Sequence, residues 1–193
     1  MLYVSKELGA DEKTLLSSLM GSSLTSLEAV LVDNVNTAWN KVRIHSSCGT
    51  DIDICCVLES LPIADDGETD DFGVLSISDA SNQPFNVESI DAEPCCINVD
   101  KEVSSIYVSL ETIKSFYDDV PLVERSGAQA VIFRFTDDSF LSIDREVWFE
   151  EVLTIKFGSD MQSLINDDSD SWAVDPDEDM HTRFVYQSTV EEL

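Results

Sequence analysis

The sequence predicts an α+β fold, mainly antiparallel β with a few short helices, and three observations carry that expectation. Apolar and polar residues alternate over short runs bounded by turn-forming residues, the period of half-buried strands. Helical spacing is confined to short runs. The third observation is core-forming capacity: 43% of residues are hydrophobic, with nine Phe, four Tyr and three Trp, despite a formal net charge of −28 on 193 residues. A disordered acidic chain would lack that apolar material.

The elements follow in chain order. Residues 11–20, DEKTLLSSLM, read as a helix with Asp11 as cap, Leu15, Leu16, Leu19 and Met20 on one face, and Gly21 to end it. LTSLEAVLVDN (24–34) is a long strand. KVRIHSS alternates Val42 and Ile44 with Arg43 and His45, turns at Cys48-Gly49, and returns through Ile52 and Ile54 as a hairpin. Residues 61–71, LPIADDGETDD, read as an acidic loop, GVLSIS (73–78) as a strand, and 79–100 as a long irregular connection. VSSIYVSLETI (103–113) is the next strand. AVIFRFTDDSFLSI (130–143) is a second hairpin turning at Asp137-Asp138-Ser139. REVWFEEV (145–152) reads as a short helical turn, LTIKFG (153–158) as a strand, SDMQSLIN (159–166) as a helix capped by Ser159, and TRFVYQ (182–187) as a final strand.

A long strand followed by a hairpin thus occurs twice. The expectation is two similar strand–hairpin halves, residues 1–100 and 101–193, forming one joint core or two packed lobes. The opening MLYVSKELGADEK lacks a basic stretch followed by an apolar one, and no apolar run approaches the ~20 residues of a membrane span. A cytoplasmic protein is therefore expected, with Cys48, Cys55, Cys56, Cys95 and Cys96 as reduced thiols.

Catalytic and metal signatures are weak. Adjacent cysteines on a strand point to opposite faces, unlike the spaced pairs of zinc sites. DDGETDD and DPDED lack the calcium-loop pattern, and two histidines, His45 and His181, offer no nucleophile–base set. The expectation is a non-enzyme without metal or cofactor.

The acid is the remaining signal. Residues 1–60 carry a net of −4, residues 61–120 carry −12 and residues 121–193 carry −12. Two clusters stand out: Asp65, Asp66, Glu68, Asp70 and Asp71, and then Asp167, Asp168, Asp170, Asp175, Asp177, Glu178 and Asp179 around Trp172. Such a field excludes nucleic acid and anionic membranes as direct partners and favours a basic protein. An aromatic residue ringed by carboxylates has the composition of a binding hot spot, whereas the bland alternative is solvated loops.

The segment AVIFRFTDDSFLSIDREVWFEEVLTIKFG (130–158), with its strand, DD turn, strand, aromatic turn and strand, resembles the acidic immunity proteins of bacterial toxin–immunity pairs. The resemblance implies a protein that binds and blocks a toxin domain, often a basic nuclease. Three rival expectations are a DNA mimic that inhibits a DNA-binding protein, a metal-dependent hydrolase with acidic ligands, and a halophile-like solubility adaptation. The last fits poorly with a first sixty residues so nearly neutral.

Overall fold

A computed structural model describes residues 1–32, 36–63, 67–87, 92–145, 148–165 and 181–193. The described residues form ten strands, one α-helix and one 3₁₀ turn. The strands are β1 (Leu2–Lys6), β2 (Ser23–Leu31), β3 (Thr37–Ser46), β4 (Ile52–Pro62), β5 (Thr69–Asp79), β6 (Cys95–Tyr117), β7 (Val120–Phe135), β8 (Phe140–Arg145), β9 (Val152–Gly158) and β10 (Thr182–Glu192). Helix α1 spans Ala10–Ser17.

Six of these strands close on themselves. β7 pairs with β8, β8 with β9, β9 with β3, β3 with β2, β2 with β6, and β6 returns to β7, all antiparallel. Closure satisfies the backbone groups that an open sheet would leave at its edges. The ring encloses the main core, in which Leu24, Leu27, Val42, Ile44, Ile106, Val131, Phe133, Leu141, Ile143 and Leu153 are buried together. Both sequence halves supply this core. The pairing separates no two lobes, and β6 differs from β2 in length and in number of partners.

Both predicted hairpins are present in the expected register. Val42 lies opposite Ile54, and Ile44 opposite Ile52; Val131 lies opposite Ile143, and Phe133 opposite Leu141. Helix α1 lies against β5 with Leu16 fully buried, as is Leu19 in the turn that follows it. Its N-cap is Gly9 rather than Asp11: the Glu12 Oε2 carboxylate accepts the Gly9 N–H at 2.7 Å. Glu12 Oε1 also accepts the Ile77 N–H at 2.8 Å, which caps a free donor on β5. Met20 falls on the outside, 43% exposed.

Several strands run beyond the ring. β6 is 23 residues long, and register shifts at Val103/Ser105, Ser109/Leu110 and Ser115/Phe116 let it change partners. Its first part pairs with β2 and its last part with β10. The N-terminal part of β7 pairs in parallel with β1, which the sequence did not announce. β3 gives its first residues to β9 and its later ones to β4, so the β4–β5 hairpin splays away from the ring.

The structure corrects four sequence expectations. The region 61–71 is not a loop throughout: β4 and β5 pair as far as Pro62 opposite Thr69, so Asp70 and Asp71 lie on a strand. The 79–100 connection ends at Cys95, where β6 begins. Among the described residues of 145–152 there is a turn and no helix, because Arg145 ends β8 and the Trp148 carbonyl accepts the Gly73 N–H at 2.5 Å. The expected helix after Ser159 is a 3₁₀ turn, Gln162–Leu164, without a side-chain cap. Among the described residues the few short helices of the sequence reading thus reduce to α1 and that 3₁₀ turn.

Candidate functional site

Where β4–β5, β6–β7 and β10 splay from the ring, a second, smaller core forms from Leu61, Phe72, Val74, Ile113 and Trp148. Above it lies an apolar groove of about 270 Å³. Phe72 forms its floor, and Leu122, Phe149 and Phe184 contribute its walls. Phe149 is 45% exposed and packs its ring 5.2 Å from Phe72. The groove is open to solvent at this aromatic side.

One cation sits in the groove wall. Arg125 is 3% exposed, its guanidinium carbon 5.0 Å from the Phe72 ring centre. Arg125 Nη2 donates to the Pro62 carbonyl at 2.8 Å, tying β7 to the end of β4. Its Nε is buried without a hydrogen-bond partner. Burial pushes the guanidinium down from its ordinary value, and the nearby Asp70 carboxylate works in the opposite direction. Asp70 and Phe72 are two residues apart on β5 and share a face, so Asp70 also lines the groove.

Arg125 belongs to a wider pattern. Of five arginines in the chain, Arg43, Arg125 and Arg145 are each at most 3% exposed. Arg43 forks onto Asp53 at 2.7 and 3.0 Å and donates to the Gln83 carbonyl at 2.7 Å, which fixes the segment after β5 on the β3–β4 pair. Arg145 pairs with buried Glu111, whose other oxygen accepts the Tyr186 hydroxyl at 2.6 Å. Two of the three thus enter the interior with a carboxylate opposite them, and among the described residues Arg125 does not.

The sequence-predicted clusters are now placed as far as the described residues allow. Glu68 lies in the β4–β5 turn. Asp70 lines the groove, and Asp71 faces away from it, accepting the Ser60 hydroxyl. Asp65, Asp66, Asp167, Asp168, Asp170, Trp172, Asp175, Asp177, Glu178 and Asp179 lie outside the described residues. Two further carboxylates, Asp118 and Asp119, form the tight β6–β7 turn, both with positive φ of 48° and 63°. Asp118 lies 2.6 Å from His181 Nδ1, and Asp119 lies 3.5 Å from Arg183. Beside them Tyr117 and Val120 are 48% and 60% exposed. The signal for this patch was present as the run YDDVPLV (117–123), an acidic turn between apolar residues.

No group of three or more His, Cys, Asp or Glu among the described residues is arranged to hold a metal ion. All five cysteines are free. The Ser46 hydroxyl, hydrogen-bonded to the exposed Cys48 sulfur, lowers that thiol to about 7, whereas burial raises Cys56 to about 12. A low value increases the thiolate fraction, so iodoacetamide at neutral pH should modify Cys48 well before Cys56. Peptide mapping checks this; labelling of Cys56 in the folded protein at a comparable rate would contradict the placement.

No helix among the described residues is long and apolar enough to cross a membrane. The structure thus defines a closed β-ring with splayed extensions that hold an acid-edged apolar groove. No protein-family model, characterised protein or solved structure matches this chain.

Proposed function

We infer that this chain is a non-enzymatic acidic binding protein that neutralises a basic protein, and specifically an immunity protein that blocks a bacterial nuclease-type toxin. The observation that carries the reading is the patch built by the splayed strands. Exposed Leu122 and Phe149 share the groove with Asp70, and exposed Tyr117 and Val120 flank Asp118 and Asp119 at the β6–β7 turn, which leads into the strand that carries Leu122. Apolar anchors supply most of the affinity at protein interfaces, while surrounding carboxylates steer a basic partner and exclude wrong ones. A nuclease is basic where it holds phosphates, so an acidic cover on that surface would displace its substrate.

The two kinds of residue make separable contributions. Asp70→Asn, Asp118→Asn and Asp119→Asn combined should slow association about tenfold or more at low salt and leave dissociation nearly unchanged. Phe149→Ala should instead speed dissociation by about 10-fold. Surface plasmon resonance against the purified product of a neighbouring toxin-like gene reads both rates. Equal behaviour of wild type and both variants would remove this patch from the interface.

A further inference from the structure

We propose that the groove binds an apolar α-amino acid, with the ligand carboxylate on Arg125, its ammonium group at Asp70, and its side chain among Phe72, Leu122, Phe149 and Phe184. The inference does not rest on the docking reading. It starts from a guanidinium that is 3% exposed, lines an open groove, and has a single hydrogen bond among the described residues. Other buried arginines here face a carboxylate directly: Arg43 faces Asp53 and Arg145 faces Glu111. Among the described residues Arg125 makes no such ion pair. A planar fork with unused donors in a desolvated setting is matched by a carboxylate, which it can bind in a bidentate manner.

The surroundings narrow the ligand. A simple monoanion would be repelled by a chain of net charge −28 and by Asp70 at the same groove. A zwitterion carries no net charge and supplies an ammonium group for Asp70. Aromatic and leucine walls select an apolar side chain. The volume of about 270 Å³ lies just below the ~300–1,000 Å³ range of small-molecule sites. It suits one amino acid and is too small for a nucleotide.

The test is isothermal titration of the full chain with four probes: L-phenylalanine, L-leucine, L-phenylalaninamide and 3-phenylpropionate. The two amino acids should bind saturably with one site per chain. The amide lacks the carboxylate and should bind ~10–100-fold more weakly, the worth of a hydrogen bond to a charged group. Phenylpropionate lacks the ammonium group, whose partner is exposed, and should lose about fivefold at low salt. Asp70→Asn should abolish that fivefold difference, and Arg125→Gln should weaken both amino acids to the level of the amide, whose own binding should change little. Should Arg125→Gln fail to fold, Phe149→Ala at the exposed wall should still weaken phenylalanine about tenfold, read on a folded protein. Absence of binding by both amino acids, or equal binding of phenylalanine and its amide, overturns the proposal. Neither result bears on the rim variants and their toxin.

Discussion

Replacing Glu111 by Ala should destabilise the fold by about 3–5 kcal/mol, the cost of removing one partner of a buried ion pair. Arg145 and Glu111 are 2% and 0% exposed. Arg145 Nη2 donates to Glu111 Oε2, and Nη1 donates to the Gly73 carbonyl at 2.6 Å. The guanidinium also lies 3.8 Å from the Trp148 ring centre. Deleting the carboxylate leaves a desolvated cation without the charge opposite it and removes the acceptor of the Tyr186 hydroxyl. Glu111→Gln keeps an acceptor for Tyr186 and should cost less. Replacing Arg145 and Glu111 together by apolar residues of similar size should cost least, since it removes both desolvation penalties. Urea unfolding monitored by circular dichroism orders the three variants. A loss below about 1 kcal/mol for Glu111→Ala would show that this pair is not the buried one described.

The second large effect is expected at Trp148→Ala, about 3–5 kcal/mol. Trp148 is 1% exposed and meets Phe72 edge to face at 5.9 Å and 86°. The Arg145 guanidinium also lies over its ring, and Gly127 and Gly73 let the chain approach closely. A Cβ on Gly73 would come within 2.8 Å of the Glu150 carbonyl oxygen, a backbone atom that cannot swing away. Removing the indole thus opens a cavity under Phe72, the floor of the groove. The neighbouring Phe149 is a useful contrast. It is 45% exposed, and its truncation should cost about 1 kcal/mol or less. Similar losses for the two would contradict the assignment of Trp148 to the core and Phe149 to the surface.

Local chemistry made part of the fold legible. The hairpins β3–β4 and β7–β8 announce themselves because period-two alternation and turn residues coincide at Val42–Ile54 and Val131–Ile143. The splayed extensions are less legible because their causes are long-range. LYVSK at β1 is short and gains its hydrogen bonds from residues 123–127. β6 crosses polar stretches and changes partner at bulges, which a single alternation pattern does not encode. Residues 145–152 look helical by composition, yet the Trp148 carbonyl is taken by the β5 backbone at Gly73.

The candidate site was legible only in outline. Counting acids pointed to Glu68, Asp70 and Asp71, of which Asp70 alone lines the groove. The groove's cation, Arg125, sits in VERSGA, a stretch that reads as polar surface; only the folding of Pro62 and Phe72 over it makes it buried. Asp118 and Asp119 gain their meaning from their apolar neighbours rather than from their charge alone. A carboxylate count finds where the field is strong. It does not find where an apolar anchor breaks the surface.

Salt titration of the complex tests most directly whether this acid-edged patch docks a basic protein. Binding of the wild-type chain and the Asp70→Asn, Asp118→Asn, Asp119→Asn variant to the purified neighbouring toxin-like protein would be measured by calorimetry from about 0.05 M to 0.5 M salt, across which the screening length falls severalfold. The expected result is a saturable complex whose affinity for wild type falls steeply with salt. The variant should start weaker and show a shallower slope, so that the two curves converge at high salt. Parallel curves, or no complex at the lowest salt, would contradict it.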